Sequence, residues 1–408
     1  MSSMSSGPGS RLRIVVLGYI VRFPLGGMAW HYLNYVLGLS RLGHDVYYLE
    51  SGGESDWSCY DPVQQINTHD PSAGIAFARQ TFSRLGLGDR WGYYDARSDR
   101  WLGPIGERAA GICRSADLLI NVSGANVLQP SQMSIPARVL IDTDPAFTQI
   151  RHLTDDNRRR AAALHTHFLS FGERLGRDGS SVPDDGFAWR ATRQPVVLDA
   201  WNAAPHSGKG PFTTVMQWDS YAVHEYNGKA YGMKSQSFVD YLNLPQHVPD
   251  EGQLEIALGG TSAPRGLLSG QGWHLRNPLS VTQTPWTYQR YIQESGAEFA
   301  VAKHGYVSSV SGWFSERSAC YLASGRPVVL QDTGFSQVLP TGEGLLAFSS
   351  PEQAASAIRA VNRDFHRHSR AAREIAEEYF DSNKVLNTLI DDVRPLAPSA
   401  AAPRRSAS

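Results

Sequence analysis

The sequence predicts an α/β chain of two Rossmann-like domains, each built on a parallel sheet. Three observations carry this reading. A strand–loop–helix–strand unit fills residues 12–50, a second α/β series opens at Phe212, and linker chemistry separates them in Ala203-Ala-Pro-His-Ser-Gly-Lys-Gly-Pro211. At 408 residues the chain is long enough for two domains with a core in each.

In the first unit, Leu12 to Leu17 is a mostly apolar run that opens on Gly18 and reads as a buried strand. Arg22-Phe-Pro-Leu-Gly-Gly-Met follows, then a helix over 29–42 with Leu33, Val36, Leu37 and Leu39 on one face. Gly43-His44-Asp45 ends that helix, and Val46 to Glu50 is the next strand. Such a crossover requires parallel pairing. Asp117 to Val122 and Arg138 to Asp142 are further strands of this half, and Ala161 to His167 is helical or irregular.

The second series reads as strand Phe212 to Gln217, helix Ser235 to Leu242, and strand Leu254 to Leu258. Helix Trp286 to Ser295, strand Phe299 to Ala302, helix 316–324 and strand Val328 to Leu330 follow. Two helices close the chain, Pro351 to His366 and 371–391. The expected organisation is a disordered tail over 1–10, a first domain over 11–204, a second over 205–370, a helix over 371–393 returning to the first domain, and a disordered tail over 394–408.

Charged residues make up 19% of the chain and the formal net charge is −1, which argues against a nucleic-acid coat or a basic membrane-surface helix. No apolar run approaches the roughly 20 residues that span a bilayer. Cys59, Cys113 and Cys320 are too few and too scattered for a disulfide framework or a zinc site, so a cytoplasmic protein is expected.

The most informative stretch is Ser311-Gly-Trp-Phe-Ser-Glu-Arg-Ser-Ala-Cys-Tyr-Leu-Ala-Ser-Gly-Arg-Pro-Val-Val-Leu330. Ser315 suits an N-cap, Gly325 a left-handed C-terminal cap, and Val328 to Leu330 a strand buried on both faces. Arg317 beside free helix-start amides is a ready phosphate site. This pattern resembles the C-terminal half of GT-B glycosyltransferases, closest to bacterial members with a Gly-Trp-Phe-Ser-Glu-Arg-Ser helix start. The arrangement of Arg317, Ala323 and Gly325 is similar to a branch related to spore-maturation proteins. Gly26-Gly27 with Gly43-His44 and Val46 likewise looks like the opening of many GT-B enzymes.

The resemblance implies the GT-B fold, with two Rossmann-like domains facing across a cleft, and transfer of a sugar from a nucleotide-sugar to a small-molecule acceptor. The nucleotide-sugar would be a co-substrate, with no cofactor and no metal, and a homodimer is compatible. The donor side would comprise Gly26, Gly27, Trp218, Lys234, Lys303, Gly312, Trp313, Glu316, Arg317, Ser318, Asp332, Thr333, Gly334 and Phe335. Where relatives often carry an acid at the position of Cys320, this chain has a thiol, and Glu316 is the candidate substitute.

Catalytic candidates are His31, in the first turn after the glycine loop, and the pair Asp142 and Asp144 at the end of a buried strand, the edge where parallel sheets bind ligands. Each has another reading. Adjacent glycines also mark a plain turn, a histidine or tryptophan also packs, and a lysine is also simply solvated. Ile141-Asp-Thr-Asp-Pro145 is also compatible with a strand-terminal turn, a GT-A metal site or a dehalogenase-type phosphatase nucleophile. An auxiliary nucleotide-sugar-binding protein and a nucleotide-sugar epimerase are the competing functions.

Overall fold

The structure is a computed structural model that describes residues 11–52, 59–203, 208, 210–249 and 252–393. Both expected tails, and part of the expected linker, lie outside the described residues. The first sheet contains β1 (Arg13–Leu17), β2 (Asp45–Ser51), β3 (Trp91–Asp95), β4 (Arg100–Leu102), β5 (Leu118–Val122), β6 (Ala137–Asp142), β7 (His167–Ser170) and β8 (Trp189–Ala191). Its order is β8-β7-β6-β5-β1-β2-β3-β4, parallel except for the β3–β4 hairpin.

The second sheet contains β9 (Phe212–Gln217), β10 (Leu254–Gly259), β11 (His274–Arg276), β12 (Ala297–Ala300), β13 (Val328–Gln331) and β14 (Leu345–Phe348). It is parallel throughout, in the order β11-β10-β9-β12-β13-β14. Strand order reverses beside β1 in one sheet and beside β9 in the other. Crevices at the carboxyl ends of strands at such reversals are where open α/β sheets take ligands.

The helices that place the site are α1 (Gly26–Arg41), α2 (Phe147–Thr154), α3 (Pro285–Glu294) and α4 (His304–Ser308). They are joined by α5 (Glu316–Ala323), α6 (Pro351–Arg363), α7 (Phe365–Tyr379) and α8 (Ser382–Val393). Helix α1 starts at Gly26, three residues before the expected start, because Leu25 is already extended and its carbonyl accepts the Ala29 amide.

The two expected closing helices are three. Asp364 leaves helical geometry and caps α7 through the Arg367 amide, so the first break falls there. The second falls at Phe380–Asp381, where Val196 bonds on both sides, donating to the Phe380 carbonyl and accepting from Ser382. Helix α8 then lies on α1, close enough that a β-carbon on Gly38 would stand 3.0 Å from Ser382 Cβ.

Candidate functional site

The site is best built from the loops that leave the carboxyl ends of the strands. After β1, residues 18–25 turn back over the sheet edge, and Glu50 holds them. Its buried carboxylate accepts the amides of Ile20, Val21 and Arg22 at 2.7–2.8 Å, the Tyr48 hydroxyl at 2.6 Å, and the Arg22 guanidinium at 3.3 Å. Asn126 ties the same loop to β2, donating to the Gly18 carbonyl and accepting from the Ser51 amide. Tyr19, Phe23 and Tyr60 stack along the loop.

Gly26 and Gly27 begin α1 against the second domain. Their α-carbons face Thr284 and Tyr288, and a β-carbon on Gly26 would overlap the Thr284 carbonyl oxygen. Trp30 on the same helix donates to the Pro285 carbonyl at 2.7 Å. The glycine pair therefore packs α1 onto α3, a role set by close approach.

His31 lies one turn further on, with Nε2 3.2 Å from Ser123 Oγ, which in turn accepts the Thr143 hydroxyl at 2.9 Å. Burial lowers the His31 pKa, opposed by the charge of Glu316 across the cleft, so the ring is neutral at neutral pH. His31 on the first domain thus feels the charge of Glu316, which begins α5 on the second.

The two aspartates part company. Asp142 is buried and serves the loop: Oδ1 accepts the Asp144 amide, and Oδ2 accepts Ser170 at 2.7 Å and Gln149 at 3.1 Å. Burial raises its pKa, partly offset by hydrogen bonds from Thr148, Ser170 and Gln149. Asp144 is an interdomain hub. Its Oδ1 meets Lys303 Nζ at 2.8 Å and the Tyr306 hydroxyl, and its Oδ2 meets the Tyr221 hydroxyl and the Arg151 guanidinium. Burial alone would raise its pKa, but Lys303 and Arg151 outweigh that and hold it far below the carboxylate range. A base needs a pKa near the working pH, and this environment is the reverse.

The cations also separate. Lys303 bonds Asp144 and Tyr221, both at 2.8 Å, and its ammonium lies 4.6–5.2 Å from the ring centres of Tyr221, Phe147 and Tyr306. Arg317 is buried on Glu298, with Nε 2.5 Å from Oε1 and Nη1 bonded to the Val215 carbonyl. Burial would lower its pKa, but the Glu298 charge raises it above the ordinary value. Lys234, by contrast, has no carboxylate within ion-pair distance among the described residues. Burial first, then the charges of Arg317 and Lys303, lower its pKa to about 7.

Helix α5 starts as its sequence suggests, with Ser315 Oγ accepting the Arg317 amide at 3.2 Å and Gly325 at a φ of 67° after its end. Ser318 is buried in its first turn, with a hydroxyl that has no partner among the described residues. Cys320 is buried near Asn34 of α1, and burial raises its thiol pKa. Position 320 therefore serves the contact between domains.

Trp313 donates to the Thr143 carbonyl at 3.2 Å and stacks on Tyr306, while Gly312 lies at a φ of 72° and donates to the Thr333 carbonyl. Asp332 caps its own loop, accepting the Gly334 and Ser336 amides and the Ser336 hydroxyl. Gly334, at a φ of 94°, opens a short turn whose Phe335 is buried on Phe314. Trp218 packs on Phe238 inside the second domain, so it is a core residue.

The sequence reading passed over Tyr221, Tyr306, Arg151, Ser123 and Glu50. Ser123 alone carried a visible signal, a Ser-Gly pair directly after an apolar strand. Ser123, Ala146 and Val310 have φ of 64°, 71° and 50°, and Ser123 bonds both His31 and Thr143. Positive φ is strained for such side chains, and strain of this kind gathers at working sites.

No family model matches the sequence, and no curated protein matches it. Solved structures match across nearly the whole chain. One is an alpha-glucosyltransferase in complex with UDP and a 13-mer DNA, with TM-score 0.57, 12% identity, and 94% of this chain and 100% of that chain covered. A second is Anabaena Alr3699/HepE in complex with UDP and glucose, with TM-score 0.54, 10% identity, and 94% and 99% covered. A third is AviGT4, a glycosyltransferase involved in avilamycin A biosynthesis, with TM-score 0.51, 13% identity, and 94% and 97% covered. With its mostly parallel eight-stranded sheet and parallel six-stranded sheet, this chain has the GT-B fold of these glycosyltransferases.

Proposed function

We propose that the chain transfers a sugar from a nucleotide-sugar to a hydroxyl of a small-molecule acceptor, without a metal. The observation that carries this is Lys234, a half-buried ammonium lacking a carboxylate partner among the described residues and destabilised by its cationic neighbours. A diphosphate is the kind of ligand that relieves such a site. Two fold neighbours bound to UDP support the nucleotide choice.

In this reading Lys234 and the first-turn amides of α5 stabilise the charge that grows on the departing diphosphate. His31, held neutral, accepts the acceptor proton at Nε2 in place of its contact with Ser123. Glu316, whose charge His31 feels, would border the transferred sugar. Gly312, Trp313, Ser318, Thr333 and Gly334 form the backbone around that pocket. Asp142 and Asp332 shape their own loops.

Three free, buried cysteines agree with a cytoplasmic setting. Among the described residues no helix is long and apolar enough to cross a membrane. The test is a panel of nucleotide-sugars scored for thermal stabilisation and for donor hydrolysis. UDP-sugars should raise the melting temperature and be hydrolysed slowly. Stabilisation with no turnover on any acceptor would favour an auxiliary binding protein, a reading that the commitment of Arg317 to Glu298 supports.

A further inference from the structure

We propose that Asp144 is a positioning residue that sets the His31 base against the donor-side helix α5. The inference rests on the proposed transferase reading for its kinetic part and on geometry alone for the rest. The loop Asp142–Asp144 is bonded in two directions. Toward the first domain, the Thr143 hydroxyl donates to Ser123 Oγ, which contacts His31 Nε2. Toward the second domain, the Thr143 carbonyl accepts from the Trp313 indole, two residues before the Ser315 cap of α5.

Asp144 bolts this loop in place. Its carboxylate takes Arg151 from its own domain, and Lys303, Tyr221 and Tyr306 from the other. The Asp144 and Lys303 side chains are only 19% and 15% exposed. The bolt also holds the chain that leads into Lys234. Tyr221 precedes the hairpin His224–Tyr231 that leads to it, and Lys303 immediately precedes α4, whose Gly305 amide bonds the Gly232 carbonyl. Close packing reinforces the join, because a β-carbon on Gly305 would overlap the Phe147 ring. One carboxylate therefore fixes the separation between the base on the first domain and the donor helix, with Lys234 beside it, on the second. That separation has to be met closely, since displacement by about 1 Å can cost on the order of a hundredfold in rate.

The experiment uses the full-length protein and its Asp144→Asn and Thr143→Val variants. Three quantities are measured: the small-angle scattering radius of gyration, the affinity for UDP by calorimetry, and single-turnover hydrolysis of UDP-glucose. Asp144→Asn should enlarge the radius of gyration, leave UDP affinity within about threefold, and lower hydrolysis at least about tenfold. Thr143→Val should lower hydrolysis with scattering unchanged, because only the link to Ser123 is cut.

A folded Asp144→Asn protein with wild-type scattering and wild-type hydrolysis would overturn the proposal. So would a rate loss matched by an equal loss of UDP affinity, since Asp144 would then act through the donor itself. If Asp144→Asn does not fold, Tyr221→Phe removes one donor to the carboxylate and is held to the same outcomes. A wild-type protein that neither binds UDP nor hydrolyses UDP-glucose defeats the transferase reading, while the scattering comparison still judges the bolt.

Discussion

Gly26 meets Thr284 so closely that any β-carbon at position 26 would overlap the Thr284 carbonyl oxygen and stand 2.9 Å from Tyr288 Cβ. Backbone oxygen cannot move aside as a flexible side chain can, so the contact fixes how the first domain sits on the second. Gly26→Ala should destabilise the protein by about 1–3 kcal/mol, the scale of overpacking in a filled core. Gly266→Ala, in an exposed helix with open space around it, should be neutral or stabilising by up to about 1 kcal/mol. Urea unfolding of both variants checks the pair. Equal midpoints would refute the close-contact role.

Arg317→Ala should act on stability more than on nucleotide affinity. Removing the guanidinium leaves Glu298 buried without its cation, and Glu298 Oε2 already lacks a partner among the described residues. Breaking a buried pair from one side costs about 3–5 kcal/mol. A stable variant with weakened UDP binding would instead return Arg317 to the phosphate-contacting role that the helix start suggested.

Lys234 should make donor binding sensitive to alkaline pH. In the free protein its pKa is lowered to about 7, and a bound diphosphate favours the ammonium, so binding takes up a proton above that value. UDP affinity should therefore fall as pH rises above 7, by up to about tenfold per unit. Lys234→Met should flatten this slope and weaken UDP binding at pH 6 by about 1.5–3 kcal/mol. Calorimetry at several pH values decides it. The same assay and turnover in excess EDTA should match those without chelator, and recovery only on adding Mn²⁺ would refute the metal-free reading.

His31→Ala should lower kcat by about 10²–10⁴ and leave UDP affinity nearly unchanged. The neutral ring is the active form and burial lowers its pKa below the ordinary 6.5, so wild-type kcat should fall only as pH drops through that lowered value. Single-turnover rates across pH 4.5–8 test both statements. Retention of an acid limb in His31→Ala would assign it to another group.

The elements with local signals were legible in the sequence. Strand β9 spans the expected Phe212 to Gln217, and α5 starts at the expected serine cap, because caps and periodicity are written within a few residues. The site was legible only in part. Lys234 has no carboxylate partner among the described residues, whereas Lys303 is taken up by Asp144, and Trp218 lies in the core. The pairings of Lys303 and Asp144 depend on partners 82 to 162 residues away in sequence, Tyr221 for Lys303 and Tyr306 for Asp144. No local pattern reports such pairings. The break at Phe380 was missed for a related reason. It is fixed by Val196, from the far side of the chain, whereas the break near Asp364 falls between the two expected helices.

The carboxylate of Glu50 grips the turn after β1 through main-chain amides, which every residue except proline possesses. The shape of that turn is thus independent of the groups it displays. Tyr19 and Phe23, both half-buried, could be exchanged while the path of the chain stayed the same, whereas Ile20 and Val21 are buried in the core and are fixed by it. Under the proposed function, a scaffold of this kind would let acceptor preference be redesigned by point changes at Tyr19 and Phe23, with the join between domains untouched.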